Sequence, residues 1–464
     1  MVTTATNSSR DPCSILDLIG NTPLVRVRHL DTGSCELYLK LENQNPGGSI
    51  KDRVAVAMIE AAERDGKLKP GGKIVEATAG NTGLALALVA AQKGYKLTVV
   101  VFDKVSHEKI FHLRAMGADV IVTRNDVLKG HPDYYQDKAR QLAIDTGAFY
   151  VNQFENPANP AAHEASTAPE LWRQMEKRLD AVVCGVGTGG TLAGLGRYFA
   201  REAPQLEMVL ADPKGSVLAP YVNTGALITP GSWLVEGIGE DYVPTNFDIK
   251  LVKKAYTITD EESIRTARQV LAQEGVLCGS SSGTLIAASL RYCREQKTPK
   301  RVVTFVCDSG NKYLSKIYNP YWLDDHGMAD KPETHDLRDL ISRTYLRGEV
   351  VAAGPEETLK QVYAKMRTFD ISQVPVMEKG KLVGLLEETD ILLTVTGNAA
   401  GFNVAAGKVM RDSAPVIDVK RPVTDLVPLL EKSRAVCVMD QGQFLGLITP
   451  IDFLNYLRKR TGNA

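Results

Sequence analysis

Hydrophobic and polar residues follow two alternating patterns along the first two thirds of the chain. Short apolar runs rich in β-branched residues predict buried strands, because they have strand length and no polar face. Segments of helical length and composition separate them. The predicted strands are 73–77, 97–102, 119–123, 181–184, 208–211 and 302–306, and the predicted helices are 84–93, 107–116, 134–146, 191–200 and 261–274.

This alternation predicts an α/β fold. Strands that are apolar on both faces and joined by helices form a mostly parallel sheet that is covered on both sides. Ligands bind beyond the carboxyl ends of the strands in such sheets. The loops that follow the predicted strands are therefore where chemistry is expected.

A lysine stands at the start of a further predicted helix, in the segment 46–53, Pro-Gly-Gly-Ser-Ile-Lys-Asp-Arg. Its two glycines permit a tight turn, Ser49 can cap the helix, and Asp52 follows three positions later, as in a capping box. The positive end of the helix dipole disfavours an ammonium on Lys51, so the amine is easier to hold neutral and nucleophilic, as a Schiff-base lysine must be. A solvated surface lysine is the alternative.

Three loops follow predicted strands and are rich in small polar residues: 78–83, 185–191 and 307–311. The first two open directly onto helices, where free N–H groups and a positive dipole end can bind an anion such as a phosphate. A simple tight turn is the alternative for each. The third loop, taken alone, is more typical of an ordinary helix cap.

The second loop does not fit two familiar nucleotide motifs. Its core, Gly187–Thr191, lacks the following Lys-Ser/Thr of a triphosphate-binding loop. It also departs from the G-x-G-x-x-G spacing of dinucleotide binding, although Asp212 lies near the distance at which that motif places an acidic residue. Neither cofactor class is therefore favoured.

Taken together and in order, the motifs at 47–53, 78–83, 187–191 and 308–310 resemble the β-family of pyridoxal-phosphate enzymes, which have fold type II. Within that family the chain is most similar to the haem-less, bacterial-type cystathionine β-synthases and next to the cysteine synthases. The resemblance covers roughly residues 14–318 and implies a tryptophan-synthase-β-like catalytic core with pyridoxal 5′-phosphate as its cofactor.

The resemblance also implies a role for each motif residue. Lys51 would bind the cofactor covalently and transfer the Cα proton, while Asn81 would bond the ring's 3′ oxygen and Ser309 would face the pyridine nitrogen. Asp308 is the competitor for that last role. The cofactor phosphate would be bound by Gly187, Thr188, Gly189, Gly190 and Thr191. The substrate would be bound by Thr78, Ala79, Gly80, Thr82, Gln153 and Gly239.

Two residues depart from the family pattern. Ala79 stands where a serine is common, which removes one hydroxyl from the loop expected to bind the carboxylate. Glu240 stands where an aromatic residue is common, within the family segment 236–242 at the mouth of the active site. Both departures bear on substrate choice rather than on the cofactor.

The last third of the chain contains an internal repeat. Residues 374–384 match residues 436–446 at a constant offset of 62, and an aspartate follows each copy, Asp390 and Asp452. Each half reads as strand, helix, strand, turn, strand, helix, which is too small to bury a good core alone. The predicted domains are a core at 1–325, a linker at 326–336, and two repeats at 337–398 and 399–464.

This repeat resembles the α+β paired CBS-domain module, whose family often binds adenosyl ligands between its halves. Thr449 and Asp452 fit the ribose-binding pattern of that family, and the resemblance implies S-adenosylmethionine or an adenine nucleotide as ligand. Glu387 replaces the corresponding hydroxyl residue in the first half. A dimerising or inhibitory module without ligand is the alternative.

Composition excludes several other classes. The formal net charge of the 464-residue chain is zero, so neither nucleic acid nor an anionic membrane is an expected partner. Apolar runs are much shorter than the roughly 20 residues that span a bilayer. The first ten residues show no signal pattern, and the seven scattered cysteines suggest free thiols, so we expect a cytoplasmic protein.

No metal or haem is predicted. The histidines and cysteines form no metal-ligand spacing. Animal members of the resembled family add an N-terminal haem segment with a Cys and a His ligand. Here Cys13 is followed closely by the core motif at 21–24, and the nearest histidine, His29, already lies inside the core pattern.

Three functional readings follow. The first is β-replacement that condenses L-serine with L-homocysteine to L-cystathionine and water, with release of hydrogen sulfide from cysteine plus homocysteine as a side reaction. The second is cysteine synthesis from O-acetylserine and sulfide. The third, from another class, is an adenosyl-ligand sensor with a scaffold N-terminal part. The resemblance also implies a homodimer at least.

Overall fold

The computed structural model describes residues 14–460 except 79, 104, 106, 125, 128, 129 and 330–333. The chain separates into two units, one ending at Ile317 and the other beginning at Tyr318. The domain bounds drawn from the sequence stay predictions.

The first unit contains two β-sheets rather than the single sheet predicted. One has six strands in the order β1-β2-β10-β7-β8-β9, parallel except for the antiparallel edge pair β1 and β2; the other has four parallel strands in the order β5-β4-β3-β6. The strands are β1 Leu24–Arg26, β2 Glu36–Lys40, β3 Lys73–Ala77, β4 Lys96–Phe102, β5 Asp119–Thr123, β6 Phe149–Tyr150, β7 Ala181–Cys184, β8 Glu207–Pro213, β9 Lys254–Ile258 and β10 Arg301–Phe305.

Helices connect most of these strands, as parallel pairing requires. They are α1 Lys51–Arg64, α2 Asn81–Lys93, α3 His107–Ala115, α4 Tyr135–Thr146, α5 Ala158–Ala162, α6 Ala168–Gln174, α7 Gly190–Glu202, α8 Leu218–Thr224, α9 Asp260–Glu274 and α10 Ser280–Arg294. A π-helical turn, His163–Thr167, joins α5 to α6. The predicted α/β class is confirmed.

Helical spacing explains how the helices pack. Helix α1 buries Val54, Met58 and Ala62, which recur every fourth residue and so form one apolar face. That face joins a core cluster with Leu86 of α2 and Val99 of β4. The core fixes the start of α1, and with it Lys51, relative to the carboxyl end of the four-stranded sheet.

The second unit contains the two repeats. Its elements are α11 Pro320–Asp325, α12 Leu359–Phe369, β11 Gln373–Glu378, β12 Lys381–Glu387, α13 Glu388–Val395, β13 Val416–Asp418, α14 Val427–Leu430, β14 Val436–Asp440, β15 Gln443–Ile448 and α15 Pro450–Arg460. The hairpins β11–β12 and β14–β15 carry the same register shift at equivalent positions, after Val376 and after Val438. The repeated sequence therefore folds into a repeated hairpin.

One detail of the repeat prediction is wrong. The first half has no regular first strand among its described residues; Ala353 makes only an isolated bridge to Val376. Leu337, Leu340 and Ile341 pack into the apolar core of the second half rather than the first. The two halves thus share their cores, which agrees with neither being large enough to be stable alone.

Candidate active site

The loop that presents Lys51 is joined to the loop after β10. The Ile50 N–H donates to the Cys307 carbonyl at 2.8 Å, and the Ser309 N–H donates to the Gly48 carbonyl at 3.2 Å. The structure therefore brings the proposed nucleophile and the proposed ring-nitrogen partner, 258 positions apart in sequence, onto adjacent backbone.

Lys51 is the first residue of α1. Burial lowers the pKa of its amine, while the thiol of Cys307 and the carboxyls of Asp308 and Glu240 act in the opposite direction. A lysine whose ammonium form is disfavoured by burial is easier to keep neutral and nucleophilic. The environment thus agrees with the chemistry expected of Lys51.

The capping box predicted at this helix is not formed. The Ser49 hydroxyl accepts from the Lys51 N–H at 3.3 Å, and the Asp52 carboxyl accepts from the Gly47 N–H at 2.5 Å, so the aspartate closes the preceding turn instead. Ile50 occupies the N-cap position without a side-chain bond. Burial raises the pKa of Asp52 to about 7.

Asn81 begins α2 and faces the loop after β10. Its amide Nδ2 donates to Asp308 Oδ2 at 2.8 Å, and its Oδ1 accepts from Lys312 Nζ at 2.7 Å. Asp308 Oδ2 also accepts from the Tyr313 hydroxyl at 2.8 Å. Asp308 is thus held by Asn81 and Tyr313, which leaves Ser309 as the better candidate to face a ring nitrogen.

The glycine loop after β7 has the shape of an anion cradle. Helix α7 begins at Gly190, its N-cap is Gly189 with φ +83°, and the Gly190 N–H donates to Thr188 Oγ1 at 3.5 Å. A Cβ on Gly187 would lie 2.7 Å from the Gly237 carbonyl, and one on Gly190 would lie 2.0 Å from Asn159 Oδ1. Only glycines fit here, so backbone N–H groups are presented at a helix N-terminus, as a phosphate requires.

Two supporting residues of this loop were missed from the sequence. Asn159 Nδ2 donates to Thr188 Oγ1 at 2.8 Å, and His163 Nε2 lies 3.1 Å from Thr191 Oγ1. Burial lowers the pKa of His163 well below its usual value, so the ring is neutral. Each residue is more than 25 positions from the threonine that it contacts, and no spacing rule connects the two.

The loop after β3 provides part of the predicted substrate site. The Thr82 hydroxyl donates to Gln153 Oε1 at 2.6 Å, and Thr78 Oγ1 accepts from the Gly80 N–H at 3.1 Å. Gly80 is the N-cap of α2, and no side chain that the structure describes caps that helix. Ala79 lies outside the described residues. This second helix start can accept a carboxylate, just as the start of α7 can accept a phosphate.

The segment 236–242 packs against the glycine loop. The Gly239 N–H donates to the Val186 carbonyl at 2.8 Å, and φ is +88° at Gly239. Glu236, in the same segment, forms ion pairs with Lys109 and Lys316. These pairs, which the sequence did not indicate, join α3 to this segment.

The candidate adenosyl site in the second unit differs between the halves. Thr449 Oγ1 donates to Asp452 Oδ2 at 2.5 Å, and the Ser342 hydroxyl also bonds Asp452. In the first half, Arg411 pairs with Glu387 at 3.2 Å, and Glu387 is buried. Arg411 also pairs with Asp390, the equivalent of Asp452, at 2.9 Å, so an arginine already occupies that carboxylate.

Residues 15–308 match the family of pyridoxal-phosphate dependent enzymes, and residues 337–397 and 406–459 match the CBS domain. The chain therefore belongs to the pyridoxal-phosphate-dependent enzymes and carries a C-terminal pair of CBS domains. This membership favours an enzyme over a sensor with a scaffold N-terminal part. Pyridoxal phosphate is the cofactor of the family.

The similar proteins include cystathionine beta-synthases, cysteine synthases and a hydrogen sulfide-producing enzyme. A cystathionine beta-synthase of Dictyostelium discoideum is 34% identical over 463 residues, covering 96% of this chain and 92% of that protein. A cysteine synthase of Staphylococcus aureus strain Mu50 is 41% identical over 305 residues, covering 65% of this chain and 95% of that protein. A solved structure of a hydrogen sulfide-producing enzyme from Fusobacterium nucleatum matches at TM-score 0.60 and 36% identity, covering 65% and 98%. The predicted resemblance is confirmed.

Two findings concern the described residues only. None of their helices is long and apolar enough to cross a membrane. Within the same residues, no group of three or more His, Cys, Asp and Glu side chains is placed to hold a metal ion. Cys13, on which the haem argument partly depends, lies outside them, so the absence of haem stays a prediction.

Proposed function

We propose that the enzyme condenses L-serine with L-homocysteine to L-cystathionine and water. The observation that supports this reaction most is the extent of the similarity. The relative named cystathionine beta-synthase aligns with 96% of this chain, whereas the cysteine synthase aligns with 65%. The remainder of the longer alignment contains the CBS pair.

Lys51 would bind the cofactor and move the proton. When bound, pyridoxal phosphate supplies an electron sink for the pair left at Cα when the Cα–H bond breaks. Because burial favours the neutral amine, Lys51 can take that proton and return it after the replacement. Lys51 is the first residue of the packed helix α1, and this position fixes the direction from which the proton is removed.

Two helix N-termini would position the reactants. The N–H groups of the loop Gly187–Thr191 would bind the cofactor phosphate, and Asn159 and His163 would hold the two threonine hydroxyls of that loop. The loop Thr78–Gly83 with Gln153 would bind the carboxylate of the amino acid. Both anions would thus be held by groups fixed before binding, which lowers the entropy cost of the reaction.

Asn81 and Ser309 would set the electronic state of the cofactor ring. Asn81 donates one amide hydrogen to Asp308, which leaves the other for the ring's 3′ oxygen. A serine hydroxyl at the ring nitrogen, unlike an aspartate, cannot keep that nitrogen protonated. The electron sink is then weaker, and β-elimination is favoured over transamination.

Cysteine synthesis from O-acetylserine and sulfide is the second candidate, supported by the 41% identity to the staphylococcal cysteine synthase. Steady-state assays of the full-length holoenzyme should offer serine with homocysteine and, separately, O-acetylserine with sulfide. We expect cystathionine formation to have the higher kcat/KM. A higher kcat/KM for O-acetylserine with sulfide would refute the main proposal.

Release of hydrogen sulfide from cysteine plus homocysteine is expected as a side reaction, because a thiolate can leave Cβ as hydroxide does. The similarity to a hydrogen sulfide-producing enzyme supports this expectation. Lead acetate or a sulfide electrode would detect the product.

The CBS pair is proposed to bind one adenosyl ligand, S-adenosylmethionine or an adenine nucleotide, at Thr449 and Asp452. The ion pair between Arg411 and Glu387 argues against a second site in the first half. Calorimetry with S-adenosylmethionine, AMP and ATP would test this. A homodimer and a cytoplasmic location are also proposed, and light scattering and cell fractionation would test them.

A further inference from the structure

Glu240 is held in a fixed place beside the glycine loop. Its N–H donates to Ser216 Oγ at 3.1 Å, and the Ser216 hydroxyl donates back to the Glu240 carbonyl at 3.2 Å. A Cβ on Gly187 would lie 3.9 Å from Glu240 Oε1. The half-buried carboxyl group therefore lies beside the loop proposed to bind the cofactor.

This carboxyl group has no bonded partner among the described residues, since no N–H, O–H or cation there lies within hydrogen-bonding distance. Glu236, four positions earlier, is paired with two lysines, which lower its pKa. Burial, Asp241 and Asp212 instead raise the pKa of Glu240 well above its usual value, against a smaller opposing effect of Lys51. Among the described residues Glu240 has no ion-pair partner, and its surroundings disfavour the charged carboxylate unless a cation binds beside it.

Three tyrosines interact electrostatically with Glu240. Its carboxyl group contributes to raising the pKa of Tyr134, Tyr135 and Tyr242, so these hydroxyls lie within electrostatic range of it. Tyr134 and Tyr135 contact each other edge to face at 5.1 Å. Aromatic rings attract cations, so tyrosine rings within electrostatic range of a carboxylate are suited to an organic ammonium group.

Only one reactant of the proposed reaction keeps an ammonium group free. The amino group of serine is the one that bonds to the cofactor, and sulfide has no cation. The amino group of the second amino acid takes no part in bond formation. In the replacement, the Cβ–O bond of serine breaks, the hydroxyl leaves as water with one proton, and the thiolate sulfur bonds to Cβ.

We propose that Glu240 binds the ammonium group of the second amino acid and thereby selects an amino-acid thiol over sulfide. The proposal rests on the proposed function, because sulfide as the natural second substrate would leave this group without a ligand. Glu240 takes no part in the covalent steps. Its effect is on the KM of the thiol substrate rather than on the reaction of serine alone.

The test compares thiols that differ by one charged group. Full-length wild-type holoenzyme is assayed with serine and homocysteine, then with 3-mercaptopropylamine, which lacks the carboxylate, and 4-mercaptobutanoate, which lacks the ammonium. We expect 3-mercaptopropylamine to have at least about a tenfold higher kcat/KM than 4-mercaptobutanoate, the size of one charged hydrogen bond. Equal values, or a preference for 4-mercaptobutanoate, would overturn the proposal without any variant.

The variant Glu240→Gln keeps the shape of the side chain and removes its charge. We expect its KM for homocysteine to rise at least about tenfold, its KM for sulfide to stay or fall, and its preference between the two analogues to disappear. Glu202→Gln is the matched control, since it makes the same change at an exposed position. The same rise in KM in that control would overturn the assignment.

The serine reaction separates this proposal from the proposed function. The change in cofactor absorbance on adding serine alone should be unaltered in Glu240→Gln; a loss there would assign the residue to the leaving hydroxyl and overturn the proposal. A wild-type enzyme that forms no cystathionine refutes the proposed function. A wild-type enzyme that forms it, with an unchanged homocysteine KM in the variant, refutes only the role of Glu240.

Discussion

Replacing Gly190 with alanine should weaken cofactor binding through a steric effect. The new Cβ would lie 2.0 Å from Asn159 Oδ1 and 2.5 Å from its Cγ, so the amide must move. Asn159 Nδ2 donates to the Gln153 carbonyl at 2.9 Å and to Thr188 Oγ1 at 2.8 Å. Both bonds are lost when the amide is displaced, and the hydroxyl of Thr188 is then no longer held in the glycine loop.

The magnitude follows from these contacts. Overpacking a well-packed site costs about 1–3 kcal/mol, and each of the two hydrogen bonds contributes about 0.5–1.5 kcal/mol. The free energy of unfolding should therefore fall by about 2–6 kcal/mol. Since φ at Gly190 is not in the left-handed region, backbone strain adds nothing.

Two measurements check this prediction: thermal unfolding of the full-length apoenzyme and titration with pyridoxal phosphate, followed by absorbance. We expect a lower Tm and at least about a tenfold higher Kd for the cofactor. Gly354→Ala is the control, since the nearest heavy atom to its new Cβ is 3.8 Å away. A Gly190→Ala variant with unchanged Tm and unchanged cofactor Kd would refute the reasoning.

Three further predictions concern single side chains. Because burial raises the pKa of Asp52 from 3.8 to about 7, the folded protein keeps a proton that the unfolded chain has lost between these values. Stability should then fall as pH rises toward 7, and Asp52→Asn should remove that slope in Tm measured from pH 5 to 8; an identical slope in the variant would contradict this. Asp452→Ala should weaken adenosyl-ligand binding at least about tenfold by calorimetry while Asp390→Ala does not, and equal losses would contradict a single site. Lys312→Met should free the Asn81 amide and shift the absorbance maximum of the bound cofactor; an unchanged spectrum would show that Lys312 does not position Asn81.

The fold class could be predicted from the sequence because the patterns that indicate strands and helices are local. The strand at Ala181–Cys184 was placed at its observed bounds, since an uninterrupted apolar run ended by small residues has few alternatives. Division into two sheets could not be predicted, because strand pairing depends on contacts far apart in sequence. The short edge strand at Leu24–Arg26 was missed because three residues carry no periodicity.

The same limit applies to the candidate site. The loops around Lys51 and Gly187–Thr191 were found because glycines before a helix form a local pattern. Asn159 and His163 were not, since their role depends on a π-helical turn packing against α7. The unpaired state of Glu240 among the described residues also required the structure, because a sequence does not show which charges meet.

The central claim is that the amine of Lys51, and no other, bonds to pyridoxal phosphate. Borohydride reduction of the purified full-length enzyme fixes that bond as a stable secondary amine, and peptide mass spectrometry then locates it. The account predicts the adduct on Lys51 and its loss in Lys51→Ala together with activity. An adduct on Lys312, the other amine near this loop whose pKa burial lowers, or no adduct after reconstitution, would contradict the account.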